Sequence, residues 1–443
     1  MERILFSPLG DTDPVRGCYD GAMLHILRHY QPERVVLFYT QDMAEKEHRD
    51  HRYTRAIHRT ASDCVIEEIF TDIQEAHLYE SFSQILPQEV LRLRSENQGA
   101  QILLNLSSGT PQMKTVLAML AADMENCVGI QVAAPSRTSN RANEATQDAE
   151  DIDALLENNF DEEEGAENRC DEPPLGIFRY YAERSRIRSL IESYEYAAAL
   201  KIARRSPLVP PEASLLLSHA EQRSMLLTEE AKAILREYRG KKLFPFIGKT
   251  EELVEYFLMM QIDQETGRLS NLMLRMIPFL FGFLMEYVVQ NVKIPIHMLC
   301  ERRRNKQCLV RGKLEKQERE LLIYLDRVFT DGYRDTALSF YILYHLCFYA
   351  GETGRTGDSV LHAGMMAELE QIKELRDLRN EAAHEIVNVT EARFRQKVGM
   401  GSQEAVSCFC RMLALVYGDK VRAMRSAYRD LNAWIGQALE VHA

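Results

Sequence analysis

The chain lacks the fingerprints of the common nucleotide enzymes: there is no G-x-G-x-x-G after the first predicted strand and no G-x-x-x-x-G-K-[ST] anywhere. A dinucleotide-binding or P-loop reading therefore has no phosphate cradle to rest on. There is also no H-E-x-x-H. The 9 cysteines show no framework spacing, and the closest pair, Cys408-Phe409-Cys410, lacks the two-residue gap of a zinc or redox knuckle. They read as reduced, mostly buried thiols of a cytoplasmic protein. No basic segment leads into an apolar run at Met1-Glu2-Arg3, so no secretory signal is expected. The most membrane-like stretch, residues 276–285, contains Pro278 and lies between Arg275 and Glu286. It is too short to span a bilayer, so no membrane partner is expected.

What is present is a soluble composition, with 46% apolar and 27% charged residues over 443 positions. At roughly 150 residues per domain, about three units are expected. The net charge of -12 opposes a nucleic-acid partner until it is located. Residues 142–172 hold 13 acidic side chains and one basic one, Arg169, so this segment alone carries that charge and the remainder is neutral. Its composition predicts a flexible, solvated excursion.

The first 135 residues alternate short apolar runs with helical patterns. Strands are predicted over 3–8, 34–40, 65–72, 102–106 and 129–133, with helices around 20–30, 42–61, 77–97 and 112–125. This rhythm predicts right-handed βαβ crossovers, a mainly parallel Rossmann-like α/β sheet, and ligands beyond the carboxyl ends of its strands. Two loops lie at those ends: Gly10 to Gly17 after the first strand, and Ser107 to Lys114 after the fourth. In the second, Thr110 is a candidate N-cap and Pro111 a preferred first helical residue. The free amides of that helix, the hydroxyls of Ser107, Ser108 and Thr110, and the charges of Arg16 and Lys114 suit an anion.

From about Leu175 no further strand is predicted, and apolar residues recur at helical spacing. Near residue 380, Ile372, Leu375, Leu378, Ala382 and Ile386 form one apolar stripe. Arg379 lies on its flank, while Asn380 and His384 lie nearly opposite. Arg379 and His384 are about 140° apart on an ideal helix, so a joint action points to two copies of the helix meeting across a two-fold axis. Three further patterns have bland readings. His25 and His29 are four apart, but no pattern around them supports a metal. The aromatic stretch Tyr341 to Tyr349 reads as helix core or interface. The run Arg302-Arg303-Arg304-Asn305-Lys306 reads as a solvated turn or part of an RNA-binding surface.

The segment Arg379-Asn380-Glu381-Ala382-Ala383-His384 matches the R-x4-H signature of HEPN ribonucleases. With the string from Ser7 to Gly17, its continuation Asp20 to Ile26, and the loop Ser107 to Lys114, the whole chain resembles the Csm-type ribonucleases of type III CRISPR systems. The resemblance implies a CARF domain over 1–173, a helical connecting domain over 174–260 and an all-α HEPN domain over 261–443. It implies a homodimer needing no stable association with the CRISPR effector complex. A cyclic oligoadenylate, preferably cyclic hexaadenylate, would act as allosteric activator at the CARF domains, through Thr12, Asp13, Arg16, Ser107, Ser108, Gly109, Thr110, Gln112 and Lys114.

Arg379, Asn380 and His384 would then cleave single-stranded RNA without a metal. The ribose 2′-hydroxyl attacks its own phosphate, His384 moves protons and Arg379 stabilises the developing charge, leaving 2′,3′-cyclic phosphate and 5′-hydroxyl ends. Slow cleavage of the activator in the CARF domain, with Thr110 or nearby hydroxyl residues taking part, belongs to the same expectation. The competing class is a ligand-sensing regulator that binds nucleic acid without cutting it; a third is a Rossmann enzyme active in the N-terminal domain.

Overall fold

A computed structural model describes residues 2–135, 151–235, 244–304, 306–372 and 389–440. The chain divides into two compact units, residues 1–185 and 186–443, and the division falls within a helix, Gly176–Glu192.

The first unit is built on strands β1 (Arg3–Pro8), β4 (Arg34–Tyr39), β5 (Val65–Phe70), β6 (Gln101–Asn105) and β7 (Cys127–Val132). These pair in parallel in the order β5-β4-β1-β6-β7, and a short antiparallel strand β8 (Cys170–Asp171) closes the edge. Residues of β1 and β4 are buried almost throughout, as expected for strands covered on both faces. On one face helices α1 (Ala22–Tyr30), α2 (Gln41–Asp50) and α3 (Arg52–Thr60) pack Met23, Leu27 and Ile57 on the sheet. On the other, α4 (Ile85–Glu96) and α5 (Pro111–Asp123) contribute Leu86, Val90, Met113 and Leu117. Each such fully buried side chain contributes about 1.5–3 kcal/mol.

All five predicted strands are present within about two residues. The helix expected over 42–61 is broken at His51, which adopts φ 53° between α2 and α3. The one expected over 77–97 begins only at Ile85, because the Ser81 and Ser83 hydroxyls donate to the Glu75 and Glu80 carbonyls and hold a turn instead.

The acidic segment departs from expectation more sharply. Residues 136–150 lie outside the described residues, but 151–172 fold: α6 (Ile152–Glu157) buries Ile152 and Leu156, and β8 pairs with β7. This part of the segment packs on the sheet and its helices rather than standing off in solvent. Its carboxylates meet arginines of α3, with Asp153 bonded to Arg55 and Glu162 bound by two nitrogens of Arg59 at 3.2 Å. Composition alone could not show that a basic helix face waits for it.

The second unit is mostly helical. Helices α11 (Gly248–Glu265), α12 (Leu269–Asn291), α16 (Phe340–Glu352) and the helix Ser402–Tyr417 share a core that includes Phe257, Phe279, Leu346 and Phe409. The apolar α12 is long enough to cross a membrane by composition, yet its Pro278 lies inside a helix whose other face buries Leu280, Phe283 and Leu284. The buried Arg223 of the helix Pro211–Ser224 donates to Glu255 of α11 at 2.7 and 2.8 Å.

The unit also contains what the sequence reading missed, a three-stranded antiparallel sheet. Strand β9 (Cys300–Arg303) pairs with β10 (Lys306–Leu309), which pairs with β11 (Thr336–Ala337). The charged run, read as a solvated turn or part of an RNA-binding surface, lies in an exposed hairpin. Only Leu309 of the two long strands is buried, so no alternation of apolar and polar residues announces them.

Candidate functional site

The chain passes from β1 to one side of the sheet and later returns to the other through β6, so the order reverses between these two neighbours. Such a switch point leaves a crevice at the carboxyl ends of both strands. The loops after β1 and β6 meet there backbone to backbone: a Cβ on Gly10 would stand 2.8 Å from the Gly109 nitrogen. Gly109 itself adopts φ +77°, which a side chain disfavours.

Most of the hydroxyls that the sequence offered as ligand contacts are used to build this junction. Asn105, at the end of β6, donates to Ser7 at 2.9 Å and to Ser108 at 2.8 Å, and its carbonyl accepts the amides of Ser107 and Ser108. The Ser107 hydroxyl accepts the Val132 amide at 2.8 Å. Asp13 is buried, and its two oxygens accept the amides of Gly10 and Met23 at 3.2 and 3.1 Å. Burial pushes its carboxyl up to about 6, against the hydrogen bonds from Ser108, Met23 and Gly10. Asn105 and Ser7 were not singled out in the sequence; a polar residue inside a fully buried strand was the available signal.

The first turn of α5 is different. Thr110 occupies the N-cap position with extended backbone and Pro111 follows at N1, yet the Thr110 hydroxyl makes no capping bond. Its Oγ1 and the Oε1 of Gln112 are both buried without a hydrogen-bond partner. Lys114 is half-buried, its pKa lowered by burial despite the attraction of Asp13. An acceptor-rich anion would satisfy the free helix amides, the hydroxyl and the ammonium together. Thr12 and Arg16 lie half-buried on the facing loop, Arg16 in a two-stranded ribbon with Tyr19.

Beside this crevice sits a second polar cluster. Asp20 accepts both Nε and a terminal nitrogen of Arg28 at 2.8 and 3.1 Å, and Nδ2 of Asn159 at 2.6 Å. Asp161 accepts the Asp20 amide at 2.7 Å and Arg169 at 2.5 Å. Burial would raise the Asp20 carboxyl, but the nearby His25 and the hydrogen bonds from Arg28 and Asn159 hold it at about 2. The Arg169 amide donates to Nε2 of His25 at 2.9 Å, while Nδ1 lies 3.1 Å from a terminal nitrogen of Arg169 and 3.6 Å from each of Asp20 and Asp161. The three side chains Asp20, His25 and Asp161 have metal-ligand chemistry, but Arg28 and Arg169 already supply their countercharge. The His29 ring packs tilted against His25, with centroids 4.5 Å apart, and does not extend the group.

Arg379, Asn380 and His384 lie outside the described residues. They fall between α17 (Ser359–Gln371) and the helix Glu391–Val398. Two described histidines of the same unit are core residues: His362 meets the Tyr287 hydroxyl at 2.8 Å and the Cys347 carbonyl at 3.1 Å, and His219 meets the Ala231 carbonyl at 2.9 Å. Burial lowers both, His219 to about 4. The aromatic stretch on α16 likewise packs internally, with Tyr341 edge-on to His345 at 4.4 Å and Tyr349 buried.

Three family models match in order: the Csm6 CARF domain over residues 63–170, the Csm6 6H domain over 173–224 and the Csm6 HEPN domain over 237–436. A CRISPR system endoribonuclease Csm6 of Mycobacterium tuberculosis is 37% identical over 50% of this chain and 54% of its own. The Csm6 of Enterococcus italicus is 36% identical over 45% of this chain and 48% of its own. The chain thus spans about half the length of these curated relatives. A solved structure of Enterococcus italicus Csm6, bound to cyclic hexa-2′-fluoro-hexa-dAMP, superposes with a TM-score of 0.68 at 23% identity, covering 98% of this chain and 100% of that one. With CARF, 6H and HEPN domains following one another along the polypeptide, the chain belongs to the Csm6 family of CARF–HEPN proteins.

Proposed function

We propose that the protein is an endoribonuclease of type III CRISPR antiviral defence that a cyclic oligoadenylate switches on. The observation that carries the reading is the unpartnered first turn of α5 at the switch point of the CARF sheet, where the Thr110 hydroxyl and the Lys114 ammonium await phosphate oxygens and the Gln112 Oε1 awaits a donor such as a ribose hydroxyl. The Enterococcus italicus relative holds a cyclic hexanucleotide analogue, which favours cyclic hexaadenylate as the activator here. Thr12, Arg16 and Gly109 complete the contact surface. Asp13, Ser107 and Ser108 shape it from beneath, because their polar atoms are already engaged.

In this proposal residues 1–173 sense the ligand, 174–260 connect, and 261–443 cut RNA, in a cytoplasmic homodimer that pairs two copies of Arg379, Asn380 and His384. His384 transfers protons to and from the ribose 2′-hydroxyl and the departing 5′-oxygen; Arg379 stabilises the charge on the attacked phosphate; Asn380, four residues before His384 in sequence, orients it. These groups suffice for the reaction without a metal. Slow cleavage of the activator, with Thr110 close to its ribose, is part of the same reading.

The test is incubation of the full chain with labelled single-stranded RNA and a chelator, with or without cyclic hexaadenylate or cyclic tetraadenylate. We expect 2′,3′-cyclic phosphate products only with activator, and a loss of about 10²- to 10⁴-fold in His384→Ala. Undiminished cleavage by that variant, or a strict need for a divalent ion, refutes the mechanism. Binding of RNA with no cleavage by the activated wild type would favour the alternative, a ligand-sensing regulator.

A further inference from the structure

Resting on the reading that single-stranded RNA is the substrate, we propose that the β9–β10 hairpin is a contact surface for the RNA sugar-phosphate backbone. Arg302, Arg304 and Lys306 are all exposed at the end of this hairpin. Among the described residues none of the three has an ion-pair or side-chain hydrogen-bond partner, whereas Arg303 beside them is neutralised by Asp335 at 2.8 Å and Glu301 at 3.2 Å. Lys316 and Arg319, on the two helices that follow, also have no ion-pair partner among the described residues. Residues 297–319 carry eight basic and three acidic side chains in a chain whose net charge is -12.

The register gives these cations no cross-strand compensation: Lys306 stands opposite Arg303, whose carboxylate partners are already engaged, and Arg302 stands opposite the neutral Gln307. Protecting an exposed strand edge against pairing with other chains needs a cation or two, which Arg303 alone supplies to β9. Three more uncompensated cations within five positions exceed that need and match a polyanion, whose binding releases condensed counterions. A protein partner fits less well, since Glu301, Arg302, Arg303, Lys306 and Gln307 present no aromatic or large aliphatic anchor. The exposed cations lie on an open surface, so they would read phosphates and not bases.

The experiment measures binding of a fluorescent 2′-O-methyl oligonucleotide, which has no free 2′-hydroxyl to attack, across a salt series with cyclic hexaadenylate present. Each lost phosphate contact lowers the slope of log Kd against log salt by about 0.7 for a single strand. The triple variant Arg302→Ala, Arg304→Ala, Lys306→Ala is expected to lower it by about 2, and with plain RNA to raise KM while kcat holds. Lys201→Ala removes an equally exposed, unpaired cation of the same unit and controls for net charge; it should leave the slope unchanged. An unaltered slope in the triple variant, or an equal change in Lys201→Ala, overturns the proposal. Absence of cleavage of plain RNA by the wild type would instead count against the nuclease reading, since the binding series does not depend on catalysis.

Discussion

Two polar clusters stand side by side in the N-terminal unit and differ in one respect, how completely their hydrogen bonds are met. Around Asp20, His25, Asp161 and Arg169, carboxylates, imidazole and guanidinium groups are matched to one another, and Arg169 Nε is the buried atom of that group left over. On the first turn of α5, by contrast, Thr110 Oγ1 and Gln112 Oε1 are buried with nothing to bond, beside a half-buried ammonium. A buried polar atom without a partner costs about 1–3 kcal/mol, so a fold tolerates several together only where something else supplies the bonds. The closed cluster looks more like an active site by residue type, yet it is a clasp. It holds the returning acidic segment to α1.

This contrast can be broken by substitution, and the largest effect is expected in the clasp. Asp161→Ala leaves Arg169 and the Asp20 amide buried without their partner, and removal of one member of a buried pair costs about 3–5 kcal/mol. Hydrogen exchange of the β1 and β4 amides in urea would read that loss, together with release of residues 151–172. Ordinary protection in the variant would show that the clasp is dispensable. Lys114→Ala should behave in the opposite way. A charged hydrogen bond contributes about 1.5–3 kcal/mol, so affinity for cyclic hexaadenylate should fall about 10- to 100-fold by calorimetry while exchange protection holds. Thr110→Ala should follow with a loss of about 2- to 10-fold, the scale of a neutral hydrogen bond. Unchanged affinity in both variants would leave the unpartnered atoms as a packing cost with no ligand behind them.

The legibility of these features followed their periodicity. Strands such as Arg34–Tyr39 are continuous apolar runs, and Thr110-Pro111 is a helix start written in two residues, so both were plain in the sequence. The clasp was not, because it joins Asp20 and His25 to Asn159, Asp161 and Arg169 across some 140 positions, and no local pattern encodes such a pairing. For the same reason a segment read as a solvated excursion is tied down over residues 151–172. The division of labour among the loop hydroxyls was equally hidden: Ser107, Ser108 and Thr110 have like chemistry, and only their neighbours decide that two build the crevice and one faces it. The β9–β10 hairpin escaped because its strands pair through the backbone while their side chains stay in solvent.

Titration separates the two clusters once more, with a smaller effect. The Asp20 carboxyl, held at about 2 against its ordinary 3.8, contributes stability above that ordinary value and loses it as pH falls toward 2. Asp13 runs the other way: with a folded value of about 6, the folded state holds the extra proton, so its contribution is complete below 3.8 and fades as pH rises through 6. The proposed activator is an anion, and an ionised Asp13 beneath the crevice would repel it. Protonation removes that charge, so affinity for cyclic hexaadenylate should rise as pH falls from 7 to 5, by on the order of 1 kcal/mol or about fivefold. Calorimetric titrations across that range check it, and Asp13→Asn should flatten the dependence. A wild-type affinity that is level through pH 6 would mean that Asp13 is screened from the ligand by the junction it builds.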